Sequence, residues 1–173
     1  MTWIAPDVER VKTPYLASER EMLEVWLDHH RQTLLLKCAG LSAEQLKTPS
    51  VEPSTLTLLG LVRHMAEVER GWFRINFAGE KIPHLFCTEE SPDGDFDDIE
   101  SADAEADFAA FQDEIELADS AAKGRSLEDT FTHPRRQAEM NLRWIYVHMI
   151  EEYARHNGHA DFLRERIDGV TGA

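Results

Sequence analysis

The chain has 173 residues, 42% hydrophobic and 29% charged, so it reads as one globular domain, residues 1–173, long enough to bury a single core. Its 33 acidic against 18 basic residues leave a formal net charge of −15. That field repels phosphate and disfavours nucleic acids and anionic membranes as partners, while an apolar run of about 18 residues and a leader segment are both lacking, so a cytoplasmic setting is expected.

Taken in chain order, the pattern predicts four long helices and one short turn of helix, and no segment reads as a strand. The first helix covers residues 18–39, where Ser18 and Glu21 have capping-box spacing and Gly40 marks the stop. Cys38 follows Leu34-Leu35-Leu36 and reads as a packing residue; Cys38 and Cys87 form neither a disulfide framework nor a CxxC pair. A short turn of helix follows over 42–46. The second long helix covers 54–78, with Pro53 before it and Gly79 after it. Its apolar stripe is Leu58, Leu61, Met65, Val68, Trp72 and Ile75; His64 flanks the stripe, and Arg63 and Glu67 point away from it.

Residues 80–100 are acidic and contain Pro83, Pro92 and Gly94; a connection of this length either covers something or is mobile. The third helix, 101–122, is rich in Ala, Asp and Glu and ends near Gly124. Residues 124–140 carry Arg125, His133, Arg135 and Arg136, a local cluster of positive charge in an acidic chain. The fourth helix begins near 141 and reaches 168, with Gly169 as its stop. The expected fold class is all-α, a four-helix bundle with a long loop between the second and third helices.

On the fourth helix, an advance of about 100° per residue places Leu142, Ile145, Tyr146, Met149, Tyr153, Ala160, Leu163 and Ile167 on one stripe. His156 falls near the middle of the stripe, Glu152 about 40° from it, and Glu151 on the solvent side. A carboxylate facing a core is costly unless paired or bound to a metal. With His64 reaching in from the second helix, His64, Glu152 and His156 make a two-histidine, one-carboxylate set that leaves positions for water or substrate. Spacing alone leaves other readings open. Glu-x3-His recurs on helices by chance, and Glu152 can pair with His64 or an arginine in a bundle without metal. His148, four residues before Glu152, and His159, three after His156, stand at the edge of the same face as replacement ligands, bases or partly exposed structural residues.

The run Leu61-Val62-Arg63-His64-Met65-Ala66-Glu67-Val68-Glu69, the long acidic loop and the run of residues 142–161 resemble the DinB-like superfamily, and within it a branch of small actinobacterial proteins. The resemblance covers nearly the whole chain. It implies a four-helix bundle with a divalent-metal triad, usually of three histidines, here falling on His64, Glu152 and His156, with Gly158 matching a glycine just after the last ligand. Glu152 in place of a histidine is similar to the mycothiol-dependent maleylpyruvate isomerase branch, whose zinc is held by two His and one Glu. That branch carries a further C-terminal domain, whereas this chain ends at Ala173, so the maleylpyruvate reaction itself is not expected.

The resemblance further implies zinc, or else nickel, iron or manganese, and a thiol S-transferase in which mycothiol or bacillithiol attacks a small electrophile as its thiolate. It leaves His159 or His148 as proton acceptor, and Arg135 and Arg136, with Arg125, as holders of an anionic substrate or thiol cofactor; the plainer reading of these arginines is solvated loop charge. Homodimerisation is also implied, with Trp3 and Trp26 as exposed aromatics. The competing classes are a non-enzymatic metal-binding stress or interaction protein, in which the ion staples the bundle, and a metal-dependent hydrolase.

Overall fold

Ser18 sets the first helix by accepting the Glu21 N–H on its hydroxyl (3.3 Å), and α1 runs Glu19–Cys38. In this computed structural model, which describes residues 3–172, the chain is mostly helical with one two-stranded sheet. A complete capping box between Ser42 and Gln45 starts the short α2, Ala43–Leu46. The next long helix begins later than residue 54. Ser54 spends its hydroxyl locally on the Leu56 N–H (3.2 Å), and Thr57, accepting from Gly60 N–H at 2.9 Å, is the cap of α3, Leu58–Glu69.

From Arg70 to Phe77 the helix continues with π-helical turns. Each such turn holds more residues than an α-turn, so the buried face shifts along the sequence. Leu58, Leu61 and Met65 are fully buried, but beyond Glu69 it is Phe73 and Phe77 that enter the core, while Trp72 and Ile75 stay half-buried beside a cleft. A helical turn, α4 (Gly94–Asp97), lies within the 80–100 connection, and Asp103 caps α5, Ala104–Ala122.

The expectation of no strand is corrected. Thr130–His133 (β1) and Ala138–Asn141 (β2) form an antiparallel hairpin with Thr130 opposite Asn141 and His133 opposite Ala138. Four residues per strand are too few for an alternating pattern to declare itself. Asn141 then caps α6, Leu142–Asp168, accepting from Trp144 N–H at 2.9 Å, and Gly169 (φ +80°) ends it in the left-handed conformation that favours glycine.

α1 packs against α6 and α3 against α5, while α3 also meets α6 and α1. Leu27, Leu34, Leu58, Leu61, Met65, Phe111, Leu142, Ile145, Met149 and Tyr153 are wholly shielded between them. Each large apolar side chain buried in this way contributes about 1.5–3 kcal/mol. Within this core sits the Arg31–Glu69 ion pair. Glu69 (0% exposed) accepts Arg31 Nε at 2.7 Å and Nη2 at 2.8 Å, and the Tyr153 hydroxyl donates to the same carboxylate at 2.8 Å. Burial raises the Glu69 carboxyl pKa, and Arg31 and Tyr153 offset only part of the rise. The network spans α1, α3 and α6.

Arg63 and Glu67 do not face solvent; both are buried. The 80–100 connection folds back over them. Arg63 donates to Gly94 O (2.9 Å), Asp95 O (3.2 Å) and Asp107 Oδ2 (3.0 Å), with Phe86 under its guanidinium at 4.0 Å. Glu67 accepts the Phe86 and Cys87 N–H groups at 2.5 and 2.9 Å and meets His84 Nδ1 at 3.0 Å. A Cβ on Gly94 would collide with the Phe86 carbonyl oxygen, so the return of the loop requires a glycine. The connection therefore covers this face of α3. Trp3, expected to be exposed, is half-buried edge-on against Phe108 (5.1 Å), whereas Trp26 remains exposed. Among the described residues no helix is long and apolar enough to cross a membrane.

Candidate metal centre

α3 and α6 bring His64, Glu152 and His156 together, with one donor atom from each lying within 4.8 Å of the others. The His64 and His156 rings are 4.8 Å apart, and His156 Nε2 lies 3.5 Å from Glu152 Oε2. All three side chains are half-buried. His156 is not at the centre of the buried face. Its neighbour Asn157 takes that place, donating to His30 O at 3.0 Å, and leaves His156 at the rim, where it can meet α3.

The covering loop fixes His64. Asp95 Oδ2 meets His64 Nδ1 at 2.8 Å, and Phe96 stacks on the ring at 4.7 Å. A ring that donates from Nδ1 to a carboxylate keeps its lone pair on Nε2, which is the form a metal ligand needs. Burial works to raise the Asp95 carboxyl pKa, but bonds to His64 and to the Cys87 thiol outweigh it and the net direction is down. The His156 imidazole is pushed down to about 4, first by burial and then by the nearby His64 and His159, so it is neutral near pH 7. Two imidazoles and a carboxylate, with one ring already oriented from behind, fit a divalent cation that accepts mixed nitrogen and oxygen donors.

The flanking histidines differ from one another. His148 places Nε2 3.8 Å from Glu152 Oε1 and Nδ1 3.5 Å from Glu151, so Glu152 stands between two imidazoles. The His148 ring stacks on Trp144 and meets Trp72 edge-on, each at 4.8 Å, and burial lowers its pKa. His159 is exposed, with its Nδ1 3.3 Å from His156 Nδ1, the nitrogen that does not face Glu152.

An open cleft of ≈ 1270 Å³ adjoins the centre, lined by His64, Trp72, Cys87, Phe96 and the hairpin residues His133, Arg135 and Arg136, among others. The arginine cluster divides here. Arg135 and Arg136 reach the cleft, while Arg125 pairs with Asp129 at 2.7 Å and lies over Phe77. Burial, then the neighbouring Asp95 and Glu67, push the Cys87 thiol up to about 11, and burial takes Cys38 to about 12; neither is a thiolate near neutral pH. Sequence reasoning missed Asp95 and the Trp72–Trp144 wall. Asp95 is one of many carboxylates in an acidic loop, and Trp72 reads as core until the π-helical turns rotate it outward.

No curated protein and no solved structure matches the chain. A family model described as Mycothiol-S-transferase matches residues 22–169, from the first turn of α1 to the cap of α6 and including every residue of the triad. The chain belongs to this mycothiol-S-transferase family, within the DinB-like superfamily.

Proposed function

We propose that the protein is a DinB-like four-helix bundle acting as a divalent-metal-dependent thiol S-transferase, with mycothiol or a related small thiol as nucleophile and a small electrophile as acceptor. His64, Glu152 and His156 hold the cation, zinc first among the candidates. The observation that carries this is the convergence of the three donor atoms beside an open cleft, with His64 oriented by Asp95. Three protein donors at a cleft suit a catalytic site better than a closed structural one. A divalent cation held there supplies the positive charge that keeps a thiol sulfur deprotonated near neutral pH.

The chain's own residues do the rest. Asp95 holds the His64 tautomer. His159 backs His156 through Nδ1, which directs Nε2 toward Glu152. His148 is the proton acceptor: it is neutral, lies beside Glu152 and is braced by Trp72 and Trp144. The thiol proton passes to His148 Nε2, the sulfur forms its bond to the electrophilic carbon, and the displaced group leaves with its electron pair. Arg135 and Arg136 hold the anionic part of a substrate. A reducing, cytoplasmic setting belongs to the same proposal and suits two free cysteines.

The test pairs metal analysis of protein purified without a His-tag with a conjugation assay. Metal-loaded protein, mycothiol or bacillithiol and a reporter electrophile should give a metal-dependent thioether, abolished in His64→Ala and His156→Ala. Absence of conjugate with several electrophiles would overturn the transferase, and electrophile consumed without thiol incorporation would indicate hydrolysis instead.

A further inference from the structure

The hairpin places a second set of donors in the cleft. His133 lines it at the end of β1 and is more than nine-tenths buried, at 8% exposed. Its Nδ1 accepts the backbone N–H groups of Arg135 and Arg136, both at 3.2 Å. A ring nitrogen that accepts in this way carries no proton, so the hydrogen of the neutral ring sits on Nε2. Among the described residues no hydrogen bond engages that Nε2–H. The side chains of Arg135 and Arg136 project from the same turn, exposed, and neither lies in an ion pair among the described residues, although the chain carries a net charge of −15. A cleft-facing N–H donor on a largely buried ring, beside two guanidinium groups without a carboxylate partner among the described residues, is the chemistry of a carboxylate site.

A flat apolar surface adjoins these donors. Trp72 lines the same cleft, 5.2 Å from the His133 ring, and the Arg136 guanidinium stands 5.9 Å over it. Trp72 also meets His148 at 4.8 Å, and His148 in turn lies 3.8 Å from Glu152. A planar ring on Trp72, with its anionic group toward the hairpin, would therefore lie next to the triad.

We infer that His133, Arg135, Arg136 and Trp72 form the seat of the electrophile, and that the electrophile is an aromatic carboxylate. What the bound ring undergoes there rests on the transferase reading; its binding does not. Calorimetric titration of the full chain, both chelator-treated and zinc-loaded, with 1-naphthoate and with cyclohexanecarboxylate tests the site. Naphthoate should bind both forms alike. The saturated ring should bind about 5-fold or more weakly, having no π face to lay on Trp72 or under Arg136. Trp72→Leu should cost about 5-fold for naphthoate. Because His133 also braces the turn, the exposed pair carries the charge test: Arg135→Gln with Arg136→Gln should weaken naphthoate by about 10-fold or more. Absence of binding at millimolar naphthoate, equal affinity for the two rings, unchanged affinity in either variant, or binding only with zinc present would each overturn the inference. Thiol conjugation without naphthoate binding would remove this seat and leave the transferase; naphthoate binding without any conjugation would do the reverse.

Discussion

Replacing Arg31 by Met should destabilise the protein by about 3–5 kcal/mol, the cost of stranding one partner of a buried pair. Glu69 has no solvent exposure and three donor hydrogens on it, two from Arg31 at 2.7 and 2.8 Å and one from Tyr153 at 2.8 Å. In Arg31→Met only the Tyr153 hydroxyl remains, and a charged carboxylate cannot stay buried on one neutral donor. Glu69 must then take up a proton on folding, so its folded pKa, already raised, rises further. A folded pKa above the unfolded one gives stability that is present at low pH and lost as pH rises, so the deficit should be smaller near about pH 5 than near about pH 8. For a chain of this size the midpoint of thermal unfolding should fall by about 6–20 °C. Urea unfolding followed by circular dichroism measures the deficit, with Arg31→Met/Glu69→Leu/Tyr153→Phe as the partner variant; removing all three polar groups should restore most of the loss. A deficit under about 1 kcal/mol in the single variant, or a triple variant no better than the single, would refute the reasoning.

Asp95→Asn should lower zinc affinity by about 10–100-fold in competition with a chromogenic chelator, because it loosens the tautomer and orientation of His64; an unchanged affinity would remove Asp95 from that role. For metal-free protein, the His156 pKa is depressed from 6.5 to about 4. Its contribution to stability is thus full above about pH 6.5 and lost as pH falls toward 4, and urea midpoints across that window should decline less steeply in His156→Asn. Cys87→Ala should keep the conjugation rate, since the thiol is protonated near neutral pH; abolition of the reaction would make Cys87 a nucleophile after all.

The helix ends were legible because their signals are local. Ser18 and Gly169 act within one turn of themselves and need no knowledge of the rest of the chain. The approach of His64 to Glu152 and His156 was legible in outline, since periodicity turns both helices toward one seam, but the projection set His156 at mid-stripe, where Asn157 sits. Arg63 and Glu67 were not. A helical projection registers their polarity but not the loop that returns to bury it, and the backbone groups they satisfy lie some 20–30 residues away in sequence. Trp72 was misplaced for a different reason: a projection at constant pitch fails where π-helical turns change the pitch. His133 and the two arginines were visible as a charge cluster, but only the hairpin register shows that their backbone and imidazole groups form one turn.

The loop that docks on Arg63 and Glu67 also carries Asp95 against His64. One side of the His64 ring is therefore held by a segment whose own attachment depends on two buried charges of α3. Whatever affinity a cation gains from an oriented His64 is available only while the loop is seated, and by thermodynamic reciprocity the cation must hold the loop down by the same free energy. Ion binding and closure of this wall of the cleft are then a single linked equilibrium, and the amide hydrogens of residues 86–97 should exchange more slowly with solvent when the metal is bound.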